Sequence, residues 1–126
     1  MAMQNPYNQY KENNVMTASP ENLTLLLYNG ALKFIYQGKM NIEQDNIQKS
    51  HAAIVRAQDI IYELNDTLDM QYDISQNLRA LYTYILEKLL DGNINKDIAA
   101  LDEAAAMVTE LRDTWKEAMK LAKTRK

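Results

Sequence analysis

His51 has the widest chemical repertoire of any residue in this sequence, and its neighbours decide what it can do. A di-iron helical bundle needs paired Glu-x-x-His motifs on facing helices. Here Gln48 stands three residues before His51, and the chain has no second histidine. A zinc site would lack nitrogen and sulfur ligands, because there is also no cysteine. A phosphotransfer bundle would carry a reactive histidine on an exposed face, and signalling domains of that kind follow it with Lys and Gly three and four residues on. Ile54 and Val55 occupy those positions. We therefore read His51 as an edge residue of a helix-packing seam. Adjacent carboxylates such as Asp102 and Glu103 point apart on a helix, so they form solvated surface and not an acid–base pair. There is no Gly-rich phosphate loop and no Ser or Thr nucleophile with a histidine beside it. The expectation is a protein that is not an enzyme and needs no metal or cofactor.

The composition points the same way. The 126 residues suffice for one domain, and a hydrophobic share of 47% can build a core. Only 3 Gly and 2 Pro interrupt the chain, which favours long helices. The 7 Met and 8 Tyr against 1 Phe suit either a core or an adaptable binding surface. Net charge is −3, and no basic stripe of the kind that binds nucleic-acid backbones is present. The one basic cluster is Lys116, Lys120, Lys123, Arg125 and Lys126. It falls at a helix C-terminus, where cations oppose the helix dipole, and we prefer that reading to nucleic-acid or anionic-lipid binding. No apolar run approaches the roughly 20 residues that span a bilayer, and Met1 to Tyr10 carry no signal-peptide core. We expect a cytosolic protein without membrane insertion.

The elements that must position these residues are helices. Residues 1–18 lack periodicity and read as a flexible arm with two aromatic hooks, Tyr7 and Tyr10. Ser19-Pro20-Glu21 is a helix start: a capping hydroxyl, a pre-set first turn and an acid at the positive end. Leu23, Leu26, Leu27, Ala31, Phe34 and Ile35 then share one face, while Leu25, Tyr28, Leu32 and Tyr36 form a second stripe. Ile42 continues the face past Gly38, so the helix runs over about 20–43 and the glycine would allow a close backbone approach. Asp45-x-x-Gln48 resembles a capping box for a second helix over 46–68, whose seam is Ile47, Ile54, Ile61 and Leu68, with Ala57 and Leu64 between. Val55, Ile60 and Tyr62 lie off that seam. Asp73-x-x-Gln76 opens a third helix over 74–91, with Ile74, Leu78, Leu81, Tyr82, Ile85 and Leu89 on one face and Tyr84 and Leu90 outside it. Gly92-Asn93 reads as its stop. Asn95 reads as the cap of a fourth helix over 96–123, with Ile98, Leu101, Ala105, Val108, Leu111, Trp115, Ala118 and Ala122 inward and Trp115 largely buried. Short turns make an antiparallel four-helix bundle, residues 19–126, the expected all-α architecture.

This pattern holds more apolar surface than one seam uses, and a bundle can use such surface to hold a partner helix in a groove. The candidate contact residues, for a client or for the arm, are Tyr28, Leu32, Val55, Ile60, Tyr62, Tyr82 and Tyr84, with Tyr7 and Tyr10 from the arm. The arm could cover the groove near Tyr28 and Leu32 until a partner arrives. The alternative is a structural or signalling bundle, a dimerisation or phosphotransfer module.

Certain residues carry a resemblance. Val15-Met16-Thr17-Ala18-Ser19-Pro20-Glu21-Asn22-Leu23 followed by Leu27-Tyr28-Asn29-Gly30-Ala31 strongly resembles the opening of the FliS flagellar export chaperones. The likeness continues through Ala57 to Leu64, Asn77-Leu78, Leu81-Tyr82-Thr83-Tyr84, Leu111-Arg112-Asp113 and Trp115-Lys116, so it spans about Tyr7 to Ala118. It is closest in look to members from Gram-positive bacilli. Asn29 stands where Asp is more usual. The resemblance implies a cytosolic four-helix chaperone that binds the disordered C-terminal segment of flagellin. It also implies that the chaperone prevents premature polymerisation and assists delivery to the flagellar type III export apparatus. It further implies that the arm, with Tyr7 carried over, covers the site and docks to an export gate component. A homodimer is left open.

Overall fold

The computed structural model describes residues 19–124. They form four helices: α1 (Pro20–Glu43), α2 (Ile47–Asp66), α3 (Asp73–Asn95) and α4 (Ile98–Thr124). The helices pack as a ring in chain order, and α4 closes it against α1. Contacts between opposite ends fix the directions. Gly38 near the end of α1 meets Ile54 of α2, Asn93 late in α3 meets His51 early in α2, and Trp115 late in α4 meets Glu21 at the start of α1. Each helix therefore runs antiparallel to its two neighbours.

The first helix starts as its sequence dictates. The Ser19 side chain accepts from the Asn22 N–H at 3.2 Å, and Pro20 occupies the first turn. Gly38 does not stop α1; a Cβ there would lie 2.8 Å from Ile54 Cγ1, so its absence lets α1 and α2 approach. The other three boundaries differ from the sequence expectation. Asn46, not Asp45, caps α2, because Asp45 takes a left-handed conformation (φ 58°) to make the turn. Tyr72 precedes α3 without a side-chain cap, and Asp73 serves as the acid of the first turn. Gly92-Asn93 is not a stop: α3 runs on to Asn95 and ends at Lys96 in the left-handed region (φ 50°). Gly92 is buried instead against Leu101, whose Cγ would lie 2.7 Å from an added Cβ. Asp97, not Asn95, receives the α4 N–H groups of Ala99 and Ala100.

The core is continuous through all four helices and includes Ile35, Ile54, Ile61, Ile85, Leu89, Leu101 and Val108, each fully enclosed. Both stripes of α1 contribute to it, because α1 is covered by α2 on one side and α4 on the other. Several expected seam residues lie outside. Ile47 and Ile74 sit at the first turns of α2 and α3, and both are about half or more exposed. Trp115 is only part-buried, its indole N–H donating to the Glu21 carbonyl at 2.9 Å. Ala118 is exposed, and so is Ala122, which lines a shallow cleft with Ser19, Glu21 and Asn22.

Candidate client-binding surface

The structure divides the candidate contact residues into two groups. Tyr28, Leu32, Ile60 and Tyr82 are interior side chains, each at most 4% exposed. A partner docking on the folded surface does not reach them, which corrects their placement on an open groove. The reason lies in helix geometry: the second stripe of α1 faces α4 and the diagonal helix α3. The hydroxyls of Tyr28 and Tyr82 share a hydrogen bond of 2.7 Å, which satisfies two polar atoms that would otherwise be buried alone. Burial pushes both phenols above the ordinary tyrosine range.

The second group is on the surface but not in one place. Tyr62 is 54% exposed on α2. Val55 is part-buried and borders a shallow cleft of about 230 Å³ with His51, Ala52, Arg56 and Asp59. Tyr84 lies on the opposite flank of α3, where its hydroxyl donates to Glu103 of α4 at 3.0 Å and Lys88 sits 5.5 Å from its ring centre. The hydrogen bond to Glu103 holds the Tyr84 phenol above its usual range. Tyr84 thus clips α3 to α4, while Val55 and Tyr62 belong to the outer face of α2. Tyr7 and Tyr10 lie outside the described residues.

Sequence reasoning missed the most open apolar strip. Leu90 and Ile94 stand four residues apart on α3, 50% and 69% exposed, and Ile47 at the start of α2 is 48% exposed. With part-buried Leu86 they follow an i, i+4, i+8 spacing that the i/i+4 rule makes one stripe. Ending α3 at Gly92 hid Ile94 and therefore the stripe. Between the two helix ends lies a groove of about 410 Å³ lined by Ile47, Gln48, His51, Asn93, Ile94 and Lys96. His51 Nδ1 and Asn93 Nδ2 are 2.9 Å apart, and Lys96 Nζ donates to Asn93 Oδ1 at 2.6 Å. His51 is thus one polar contact on an apolar floor. No group of three His, Asp or Glu among the described residues could hold a metal ion. Among the described residues, no helix is long and apolar enough to cross a membrane.

The class of protein the fold defines is a four-helix bundle with exposed apolar residues beside a shallow groove. Comparison with known proteins says which. The family model described as "Flagellar protein FliS" matches residues 3–122. The chain is 44% identical to the flagellar secretion chaperone FliS of Bacillus subtilis, covering 94% of this chain and 90% of that one. It is 32% identical to FliS of Escherichia coli K12, covering 86% and 82%, and 30% identical to FliS of Salmonella typhimurium, covering 84% and 81%. The chain belongs to the FliS family. It is a flagellar export chaperone with a flagellar protein as its partner, and not an enzyme.

Proposed function

We propose that this chaperone holds the disordered C-terminal segment of flagellin in the cytoplasm, keeps it from polymerising early and assists its delivery to the flagellar type III export apparatus. The observation that carries this reading is the strip of Ile47, Leu90 and Ile94 beside the α2–α3 groove. Ile47 and Ile94 line the groove and Leu90 stands one turn before Ile94 on α3, the kind of aliphatic anchors an amphipathic client helix needs. A disordered client loses conformational entropy on binding, so it must bury a large area, and Val55 and Tyr62 extend the surface along α2. His51 supplies a hydrogen-bonding rim and no chemistry. The arm with Tyr7 and Tyr10 would cover this surface in the free protein and dock to an export gate component. Because Tyr28 and Leu32 are interior, any arm contact falls on exposed apolar residues instead.

Circular dichroism tests the client. A peptide covering the C-terminal region of the cognate flagellin gains helix when mixed with the folded chaperone; spectra that simply add, with no binding, would remove flagellin as the client. Hydrogen exchange tests the arm. Amides around Tyr7 are moderately protected in the free protein and lose protection when the peptide binds, whereas equal exchange in both states excludes the covering role.

A further inference from the structure

Arg56 is a cation that the α2–α3 groove leaves without a role. It is part-buried on α2 and belongs to no ion pair among the described residues. Its Nε is enclosed and has no hydrogen-bond partner among them. Its guanidinium carbon lies 6.0 Å from the centre of the buried Phe34 ring on α1, and the exposed Lys33 ammonium lies 5.7 Å from the same centre. Two cations therefore flank one ring at the α1–α2 seam. The ring face attracts both, but it does not accept the directed hydrogen bonds of a guanidinium fork. A buried donor without an acceptor is costly, so the position calls for one.

The four helices do not supply that acceptor. The only carboxylates of α1 are Glu21 and Glu43, close to its two ends. Asp59 stands one turn beyond Arg56 on α2 and lines the same shallow cleft, yet the two form no ion pair. Glu63 is two turns beyond. The cleft, about 230 Å³, is also lined by His51, Ala52 and Val55, and His51 lines the α2–α3 groove as well. A polypeptide that leaves the groove across the outer face of α2 thus passes Ala52 and Val55 and reaches Arg56. From Ile47 to Arg56 the axial rise along α2 is about 13 Å.

We propose that Arg56 binds a carboxylate on the client, an assignment that rests on flagellin's C-terminal segment occupying the groove. The guanidinium, backed by Phe34, takes the carboxylate in a two-pronged, charge-assisted hydrogen bond. Lys33 adds positive charge beside it. The 13 Å rise sets the client's pattern: the acidic residue falls at least about four residues from the side chain seated in the groove if the client is extended, and about nine if it is helical. Asp59 competes for the same guanidinium. A client with apolar anchors alone would fill the groove and leave Arg56 as it stands in the free protein.

Titration of the full chain with peptides of the cognate flagellin's C-terminal segment tests this, each acidic residue being replaced in turn by its amide. One such peptide binds the wild-type chain about tenfold more weakly than its parent, and the difference shrinks as salt rises. Arg56→Gln, at an unchanged urea midpoint, binds the parent about tenfold more weakly and no longer distinguishes the two peptides. Arg56→Lys recovers part of the loss, and Asp59→Asn tightens binding. Should Arg56→Gln not fold, Arg56→Lys shows a smaller amide effect than the wild type. Wild-type affinity in Arg56→Gln, or an amide effect of equal size in the wild type and the Arg56 variant, would overturn the proposal and leave flagellin as the client. Tighter peptide binding by both Arg56→Gln and Glu12→Gln would overturn it too, by giving Arg56 to the lone carboxylate of residues 1–18. A wild-type chain that binds none of the peptides removes flagellin as the client and this assignment with it.

Discussion

At the scale of single residues, the interior of this bundle holds a polar pair that restricts substitution. Removing one hydroxyl from Tyr28 or Tyr82 leaves the other buried without its partner. Tyr28→Phe and Tyr82→Phe each cost about 1–2 kcal/mol, and the double variant costs less than the two together, as a urea double-mutant cycle will show. The pair also sets an alkaline limit. Burial holds both phenols above the model value of 10.0, so the unfolded chain loses these protons first. Their contribution is complete below about pH 10; above it the folded state binds more protons than the unfolded, and stability falls as pH rises. The double phenylalanine variant should show a shallower decline in unfolding midpoint above pH 10. Equal slopes would mean that the phenols ionise as freely in the bundle as in the open chain.

At the scale of elements, the two glycines of close helix contact and the two left-handed turns decide how the helices meet. Gly92→Ala places a methyl group against Leu101, a fully buried side chain with nowhere to move. It should destabilise by about 1–3 kcal/mol despite the better helix propensity of alanine. Lys96→Gly should do the opposite, gaining about 0.5–1 kcal/mol by relieving φ 50° at the end of α3. Denaturant midpoints check both. These positions also mark how far the sequence could be read. Four helices and the Ser19 start were legible, because caps and 3.6-residue periodicity are local properties. The continuation of α3 through Gly92 was not, because a glycine that ends a helix and one that admits a neighbour look alike until Leu101 is placed beside it. The surface was harder still. Periodicity finds the apolar stripes of α1 but not that α4 covers the second one, so Tyr28 and Leu32 read as open. Ile94 was lost with the misplaced end of α3.

At the scale of the whole molecule, four helices enclose a core that is complete without a partner, while Ile47, Leu90 and Ile94 remain in solvent beside the α2–α3 groove. That division permits a clean separation of binding from folding. Substitutions in the strip should change affinity and leave stability within about 0.5 kcal/mol, as expected for exposed sites. His51→Ala, at the polar rim of the same groove, should change affinity by no more than about threefold, corresponding to a similarly small energy. The central claim is that the strip seats flagellin's C-terminal segment, and titration calorimetry with that peptide addresses it most directly. The wild-type chain should bind with a negative heat-capacity change, the mark of apolar burial. Leu90→Asp/Ile94→Asp, at an unchanged urea midpoint, should bind at least about tenfold more weakly, a loss of about 1.4 kcal/mol or more. Wild-type affinity in that folded variant would place the client elsewhere on the bundle and contradict the account.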